Sequence, residues 1–239
     1  MLSNKKKSRA RGEDKEKQFQ EILKVGKELL IKNGTVGMRA LARKLEMSEA
    51  NLYNYVESKR ELWIAIRNKA NTQYQEVLKT LEDKKIDSFF EFCMEWASLF
   101  FDFVAEDYHR FRIMQFLSAP PLSINKKTKK EKEIGPFEKR YRPFRFIEQG
   151  IELVARKAEE YRIKLDNPIV LFYYIYALSL GAAKAEADLR LSQLAIKKNR
   201  TEKIYEPILL NPDKISPEKF RDYVLKEIEE KIKKEIRVS

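Results

Sequence analysis

Long segments of this sequence repeat apolar residues every three or four positions, and few glycines or prolines interrupt them. In the first such segment, Phe19, Ile22 and Leu30 would share one face of a helix that ends at Asn33-Gly34. The chain has 7 glycines and 8 prolines in 239 residues, fewer than a fold rich in turns requires. We therefore expect an all-α protein built largely from long helices.

The same spacing predicts further helices over about 86–106, 107–117, 137–161 and 168–198, and a last one from about Pro217. Pro143 falls inside the helix expected over 137–161 and should bend its first turns. The segment 122–136 is charged and has no periodicity, which predicts a loop.

One cysteine, Cys93, and one histidine, His109, limit the chemistry of the chain. A single thiol cannot form an internal disulfide, which suits a reducing cytoplasm. The two residues cannot supply the usual zinc ligand sets, and Cys93 lies in an apolar run where a thiol packs as a small hydrophobe. The sequence also has no glycine-rich phosphate loop and no nucleophile elbow. We expect no enzymatic activity, no metal and no cofactor, and a cytoplasmic location.

The longest uncharged run, residues 167–183, raises the question of a membrane span. Its 17 residues fall short of the roughly 20 that a helix needs to cross a bilayer. The run also continues without a break into the charged segment "KAEADLRLSQL". A buried helix, in a protein with no membrane partner, is therefore the favoured interpretation.

The formal charge of +12 is concentrated near the N-terminus. Residues 1–70 hold 17 Lys and Arg against 9 Asp and Glu, a net charge of +8. This excess predicts that a polyanion, in particular double-stranded DNA, binds the first third of the chain. Residues 1–14 are expected to form a basic, flexible arm in which Arg9 and Arg11 follow the DNA backbone or enter a minor groove. A solvated tail is the alternative for this arm.

Residues 15–60 have the spacing of a helix-turn-helix domain. A short helix over 38–45 is followed by the turn "EMS", whose Ser48 is a suitable N-cap for a third helix through Tyr55. Ser58 and Glu61 then form the pattern of a capping box, which opens a fourth helix that runs to about residue 81. In such a motif the second helix of the pair can enter the major groove of DNA.

The third helix divides into an inner and an outer side. Leu52 and Val56 are four residues apart and would pack inward, which leaves Tyr53 and Tyr55 outside. Tyrosine hydroxyls can bond DNA phosphates, and asparagine can pair with adenine through two hydrogen bonds. A helix N-terminus favours a phosphate, so basic residues near one are also candidates. The candidate DNA-binding residues are Arg39, Ser48, Glu49, Ala50, Asn51, Tyr53, Asn54, Tyr55 and Lys59, with Arg9 and Arg11 on the arm. An ordinary helical hairpin inside a bundle is the alternative.

Residues 38–66, "MRALARKLEMSEANLYNYVESKRELWIAI", resemble the DNA-binding domain of the tetracycline-repressor (TetR) family. The resemblance rests on Leu41-Ala42 in the second helix, on the segment "LYNYV" in the third, and on Lys59 at the start of the fourth. Glu46 stands where the family mostly has glycine, so a left-handed backbone there would carry some strain. The family usually has a threonine near the start of the second helix, where this chain has Gly37. The phosphate contact that this threonine would make is therefore missing here.

The resemblance implies that residues 61–239 form a ligand-binding and dimerisation domain. In the family, two late helices pair across a two-fold axis as a four-helix bundle, and that role would fall on about 168–195 and 217–236. Gly181 matches a small residue often found where such helices cross closely. The alternative is that both helices complete the core of a monomer.

The aromatic residues of this second region suggest a cavity for an apolar ligand, such as an acyl chain or a flat aromatic molecule. Nearby arginines would suit a phosphate or carboxylate head, as in an acyl-coenzyme A. The candidate lining residues are Phe92, Trp96, Phe100, Met114, Phe144, Ile147, Tyr173 and Tyr176. For each of them, plain core packing is the alternative.

The sequence therefore predicts a one-component transcriptional regulator. We expect a repressor that binds a palindromic operator as a homodimer and is released by a small apolar or acyl-type effector. The alternative is a non-specific architectural protein that binds nucleic acid through charge alone.

Overall fold

The computed structural model describes residues 2–115, 119–121, 135–197 and 216–235, with side chains described for 13–114, 119–121, 135–190 and 216–234. These residues form ten α-helices and no strand, which confirms the predicted all-α class. In chain order the helices are α1 (Leu2–Asn33), α2 (Met38–Lys44), α3 (Glu49–Tyr53), α4 (Lys59–Glu82), α5 (Phe89–Glu106), α6 (Tyr108–Gln115), α7 (Pro136–Lys139), α8 (Arg145–Glu160), α9 (Pro168–Lys197) and α10 (Pro217–Glu235).

The chain divides into two compact units. The first consists of Met1–Thr72 and Arg112–Arg142, and the second of Gln73–Phe111 and Pro143–Ser239. The predicted helix-turn-helix region lies in the first unit, together with α4 up to Thr72. The chain passes from one unit to the other three times, once inside α4, once inside α6 and once just before α8.

Local signals set the ends of the short helices in the first unit. α1 ends at Asn33, and Gly34 follows with a left-handed φ of +68°. Glu46, in the turn between α2 and α3, also has a positive φ of 54°, a conformation that glycine adopts without the strain an L side chain carries. Ser48 caps α3, because its hydroxyl accepts a hydrogen bond of 3.1 Å from the Asn51 N–H.

The core of the first unit joins α1, α2, α3 and the first turns of α4. Leu41, Leu52 and Leu62 are fully buried there, and Val56 is 1% exposed. Ile22 of α1 completes the set. Spacing predicted that Ile22, Leu52 and Val56 face inward, and their burial fixes which side of α3 remains outside.

The second unit packs α9 against α5, α8 and α10, and α10 also packs against α5. α5 buries nine of its eighteen residues, six of them aromatic. Gly150 allows α8 to approach α9 closely, since a Cβ at this position would lie 2.2 Å from the Phe172 ring. Three residues of α10, Val224, Ile228 and Ile232, are buried at a spacing of four.

A buried ion cluster holds α10 in place. Glu186 of α9 is 2% exposed and accepts hydrogen bonds from Arg190 and Arg221. Arg221 of α10 also pairs with Asp102 of α5 at 2.6 Å. Such a cluster offsets the cost of dehydrating Glu186 only while both arginines remain, so removing either one should destabilise the unit.

Three element boundaries differ from the sequence prediction. α1 begins at Leu2 rather than near Asp14, because residues 2–13 contain no proline and many good helix formers. The helix expected over 137–161 is two helices, since Pro143 lacks the N–H that would continue α7 into α8. Of the predicted loop 122–136, residues 122–134 lie outside the described part, and Pro136 begins α7.

The interpretation of 167–183 as a buried helix is only half right. One side of α9 is buried, but Ile169, Val170 and Tyr173 are 51%, 59% and 46% exposed. By length and composition alone, Pro168–Arg190 would suffice for a membrane span, and 33% of its most apolar stretch is buried. The buried ion cluster at Glu186 argues instead for a helix packed in a protein bundle, because paired charges stabilise α9 against its own neighbours.

Candidate nucleic-acid interface and ligand region

The outer side of α3 is the candidate nucleic-acid interface. The buried Leu52 holds the helix from behind, so Ala50, Tyr53 and Asn54 point outward, and Tyr53 is 43% exposed. Ser48 is exposed as well, with its hydroxyl engaged as the helix cap. A phenol and an amide on one exposed helix face can bond both phosphates and base edges.

Tyr55 does not join this surface, contrary to the prediction from spacing. α3 ends at Tyr53, and the Tyr55 side chain turns back onto α1, where its hydroxyl donates to Gln18 at 2.5 Å. Its ring lies parallel to that of Phe19, with the centroids 6.4 Å apart, and the Lys15 ammonium lies 5.7 Å from the ring centre. We define the recognition segment as residues 48–56. Tyr55 therefore connects the end of this segment to α1.

Two asparagines complete the outer side of the segment. Asn54 is exposed and Asn51 is half-buried. The Asn54 amide donates to the Asn51 side-chain oxygen at 3.5 Å, a long contact that a base could readily displace. Both amides therefore remain candidates for pairing with adenine.

Arg39 and Glu49 form an ion pair across the turn. The Arg39 Nε lies 2.9 Å from the Glu49 carboxylate, and the arginine side chain is 90% exposed. The hydrogen bond and the negative charge of Glu49 raise the pKa of Arg39. In a DNA complex a phosphate would compete with Glu49 for this guanidinium.

Lys59 opens α4, as predicted, and its ammonium donates to the Thr35 hydroxyl. Thr35 lies in the turn between α1 and α2 and is exposed. The sequence analysis did not identify Thr35 as a candidate, because the threonine of the TetR pattern corresponds to Gly37 in this chain. Thr35 and Lys59 together form a polar pair that could contact one phosphate. The side chains of Arg9 and Arg11 lie outside the described part of the chain.

The candidate ligand region of the second unit is a cluster of packed aromatic rings. Phe92, Trp96 and Phe100 are 0%, 7% and 4% exposed. The Trp96 indole N–H donates to the Tyr74 hydroxyl at 2.9 Å, and the Trp96 and Phe172 rings stack at 5.7 Å. Burial raises the pKa of Tyr74, so this phenol stays neutral.

Tyr176 extends the cluster, since its ring stacks on that of Phe172 at 5.7 Å and lies 6.0 Å from that of Phe146. Sequence reasoning missed Tyr74, Phe146 and Phe172. All three are aromatic residues on helices with mixed faces, and only the packing of α4, α8 and α9 identifies their inner side.

Four of the predicted lining residues stand apart from this cluster. Phe144, the N-cap residue of α8, is 66% exposed, and Tyr173 is 46% exposed on the outer side of α9. Neither lines an enclosed cavity in this arrangement. Met114 is buried, but in the first unit, and Ile147 is half-buried on α8.

The outer side of α9 is a second exposed surface. Val170, Tyr173, Ala177 and Gly181 are exposed at intervals of three or four residues. A Cβ added at Gly181 would meet no atom within 4 Å. On α10, Tyr223 is 62% exposed. Exposed apolar stripes of this kind commonly mark a surface that another protein covers.

No group of three or more metal-binding side chains occurs among the residues that the structure describes. The exposed α3 on a buried scaffold, followed by a helical bundle, is the arrangement of a helix-turn-helix protein with a separate second domain.

Comparison with solved structures identifies this arrangement more closely. AibR in complex with isovaleryl coenzyme A and operator DNA is similar, with a TM-score of 0.56 and 15% identity over 88% of this chain and 97% of AibR. A TetR-like transcriptional regulator from Rhodococcus sp. RHA1 has a TM-score of 0.52 and 19% identity, over 90% of this chain and 95% of its own. The transcriptional regulator FadR from Bacillus subtilis, in complex with stearoyl-CoA, has a TM-score of 0.53 and 9% identity, over 87% and 97%.

The chain therefore has the fold of the TetR-type transcriptional regulators, as the resemblance of residues 38–66 predicted. No family model matches the sequence, and no curated protein matches it.

Proposed function

We propose that this chain is a one-component transcriptional regulator that binds DNA through α3. The observation that carries the proposal is the two-sided recognition segment. Its inner residues, Leu52 and Val56, are 0% and 1% exposed, while Tyr53 and Asn54 are exposed on the outer side. A buried hairpin would have no reason to keep a tyrosine at the surface, whereas a helix that enters a major groove needs such a side chain.

The regulator acts as a homodimer joined through α9 and α10. One recognition segment offers few base contacts, so two copies on a palindromic operator are needed for specific binding. The exposed stripe of Val170, Tyr173, Ala177 and Gly181 supplies an apolar surface for the second copy. A cytoplasmic location follows from binding to genomic DNA.

The effector is a small apolar molecule, and an acyl-coenzyme A is our specific proposal. Isovaleryl coenzyme A and stearoyl-CoA are the molecules bound in AibR and FadR. We expect the effector to bind in the second unit, between the rings around Trp96 and Phe172, which would have to separate to admit an acyl chain. Native mass spectrometry of protein from its own host tests this part. Retained acyl ligand is the expected result, and failure of every acyl-CoA in a panel to bind would exclude the class.

The regulator represses, and its effector releases it. This requires the effector to bind the form that cannot span both half-sites more tightly than the form that can, since equal affinity for both would shift nothing.

Fluorescence anisotropy on an operator duplex and on a scrambled duplex of equal composition tests DNA binding directly. A selection from genomic fragments provides the operator. We expect binding to the operator that survives physiological salt, and Tyr53→Ala should weaken it by about 1–3 kcal/mol. Tyr53→Phe keeps the ring and shows which part of the loss belongs to the hydroxyl. Equal binding to both duplexes that salt abolishes would instead favour the architectural protein.

A further inference from the structure

Residues 135–142, which include α7, lie against α1 and α4 within the first unit. We call this segment the strap. It contacts α4 through Glu61, Arg60 and Arg67, and α1 through Phe19. Neither the helix-turn-helix motif nor the proposed ligand region accounts for these contacts.

Glu61 is the centre of the attachment. Glu61 is fully buried, and its carboxylate accepts hydrogen bonds from two backbone groups, the Phe137 N–H at 2.9 Å and the Glu57 N–H. A buried carboxylate that is held by backbone donors rather than by a cation is costly, because dehydration is only partly offset. Once the strap leaves, water can hydrate Glu61. Docking and release are therefore closer in free energy than for an apolar contact of the same size.

Gly135 shows how tightly the strap fits. A Cβ at this position would lie 1.8 Å from Glu61 Oε1 and 2.1 Å from its Cδ. No side chain larger than hydrogen can occupy this place while Glu61 keeps its position. A substitution of Gly135 by alanine is therefore a specific way to undock the strap.

Further contacts define the docked position. Arg60 forms an ion pair with Glu138, in which the two side chains are 22% and 12% exposed, and it also donates to the Pro120 carbonyl at 2.7 Å. Arg67 donates to the Tyr141 hydroxyl, and its guanidinium lies 5.6 Å from the Tyr141 ring centre. The strap is thus held at both ends by residues of α4.

A row of three stacked rings leads from the strap to the recognition segment. The Phe137 and Phe19 rings stack at 5.3 Å, and the Phe19 and Tyr55 rings stack at 6.4 Å. Tyr55 follows α3 directly, and its N–H donates to the Leu52 carbonyl at 3.0 Å. Two ring contacts therefore connect the strap to the residue that follows the end of α3.

We propose that the strap is a control element for DNA binding. Docked on Glu61, it holds Phe19 against Tyr55 and keeps the recognition segment ready to bind; released, it lets that segment move. The proposal rests on the proposed function in that α3 is taken as the helix that contacts DNA. The strap continues through Pro143 and Phe144 into α8 of the second unit, so it is also one of the three places where the chain joins the two units.

Hydrogen exchange of the full-length protein tests the link within the first unit. Gly135→Ala undocks the strap, Phe137→Ala removes only the stacked ring, and Lys139→Ala is the matched control because Lys139 is exposed on the same segment. Both test variants should speed exchange in the recognition segment about three- to tenfold, the range that corresponds to loss of one aromatic pair. Lys139→Ala should leave it unchanged. If Gly135→Ala does not fold, Phe137→Ala carries the same test.

Two results would overturn the proposal at this stage. One is faster exchange confined to residues 135–142, which would make the strap a local feature. The other is an equal increase in α5 of the second unit, which would mean general destabilisation rather than a specific link.

Operator DNA provides the reciprocal test. Because coupling between two sites acts equally in both directions, binding of the operator duplex should slow exchange of the strap, and Phe137→Ala should weaken operator binding about three- to tenfold. Operator binding that leaves the strap's exchange unchanged would reject the control element while the proposed function stands. A wild-type protein that binds no duplex specifically would reject the proposed function, and the exchange comparison would still decide whether the strap and the recognition segment are linked.

Discussion

Replacing Gly181 by leucine is expected to separate the folding of one protomer from the assembly of two. A Cβ at Gly181 meets no atom within 4 Å in the protomer, so the new side chain has room there. Leucine is also the better helix former by up to about 1 kcal/mol, since glycine is disfavoured inside a helix. The free energy of unfolding of a protomer should therefore stay the same or rise slightly.

The dimer should respond in the opposite way. If α9 of a second copy packs over Gly181, leucine overfills that contact at a cost of about 1–3 kcal/mol. A two-fold axis repeats the substitution, so the total is roughly 2–6 kcal/mol, or about 30-fold to 10⁴-fold weaker dimerisation. Sedimentation velocity over a range of concentrations measures this change, and chemical denaturation of the monomeric fraction measures the protomer.

Gly150→Ala is the matched control. Its Cβ would lie 2.2 Å from the buried Phe172 ring, so alanine should lower the free energy of unfolding of the protomer by about 1–3 kcal/mol. Dimerisation of the folded molecules should change far less than in Gly181→Leu. A Gly181→Leu protein that remains a dimer with unchanged affinity would refute the assignment of α9 to the interface.

Three further predictions concern single residues. Glu46→Gly should raise the free energy of unfolding by about 1 kcal/mol, because φ at this residue is 54° and glycine adopts it without strain. Arg43→Gly, inside α2, should lower the free energy of unfolding by a similar amount. Urea denaturation of the two variants measures both changes. Burial raises the pKa of Cys93 to about 12. Its thiolate fraction at pH 8 is therefore on the order of 10⁻⁴ in the folded protein, against roughly a quarter in the unfolded chain. A disulfide reagent should label Cys93 at least about a thousandfold more slowly in the folded protein than in the unfolded chain. Because the folded state holds this proton more tightly, the thiol's contribution to stability should decrease as the pH rises from about 9 towards 12. Lys59→Ala should weaken binding to all DNA sequences alike and reduce the salt slope by about one, while Lys79→Ala, an exposed lysine of α4 outside the proposed interface, should do neither.

Local signals in the sequence were sufficient for the helix-turn-helix. Ser48 caps α3, Gly34 follows the end of α1, and Glu46 has the left-handed φ that its place in the TetR pattern implies. The cap at Ser48 and the helix end before Gly34 depend on a few neighbouring residues, so local pattern could predict them, whereas the expectation for Glu46 came from the family resemblance. Tyr55 could not be assigned in this way, because its partners Gln18 and Phe19 lie 37 and 36 positions earlier in the chain.

The second unit was harder to predict for a related reason. α9 is apolar on most sides, and periodicity cannot distinguish an apolar side that packs within the protomer from one that remains exposed on its surface. The exposure of Tyr173 and Phe144 depends on which sides of α8 and α9 pack inward, which periodicity does not give. The start of α1 was missed because the charge of residues 1–14 suggested a flexible arm. No residue before Asp14 stops a helix, so α1 begins at Leu2.

Glu61 illustrates how a correct local prediction can hide a role elsewhere. Ser58 and Glu61 match a capping box, and the Glu61 N–H does donate to the Ser58 hydroxyl at 3.0 Å. The reciprocal bond differs, since the Glu61 carboxylate accepts from Glu57, one residue before the cap, and uses its other oxygen for Phe137. The same residue therefore begins the helix that follows the recognition segment and binds a segment 76 positions away. A carboxylate needed only for capping would gain by staying in water, so its complete burial indicates a second role, which the hydrogen bond from the Phe137 N–H provides.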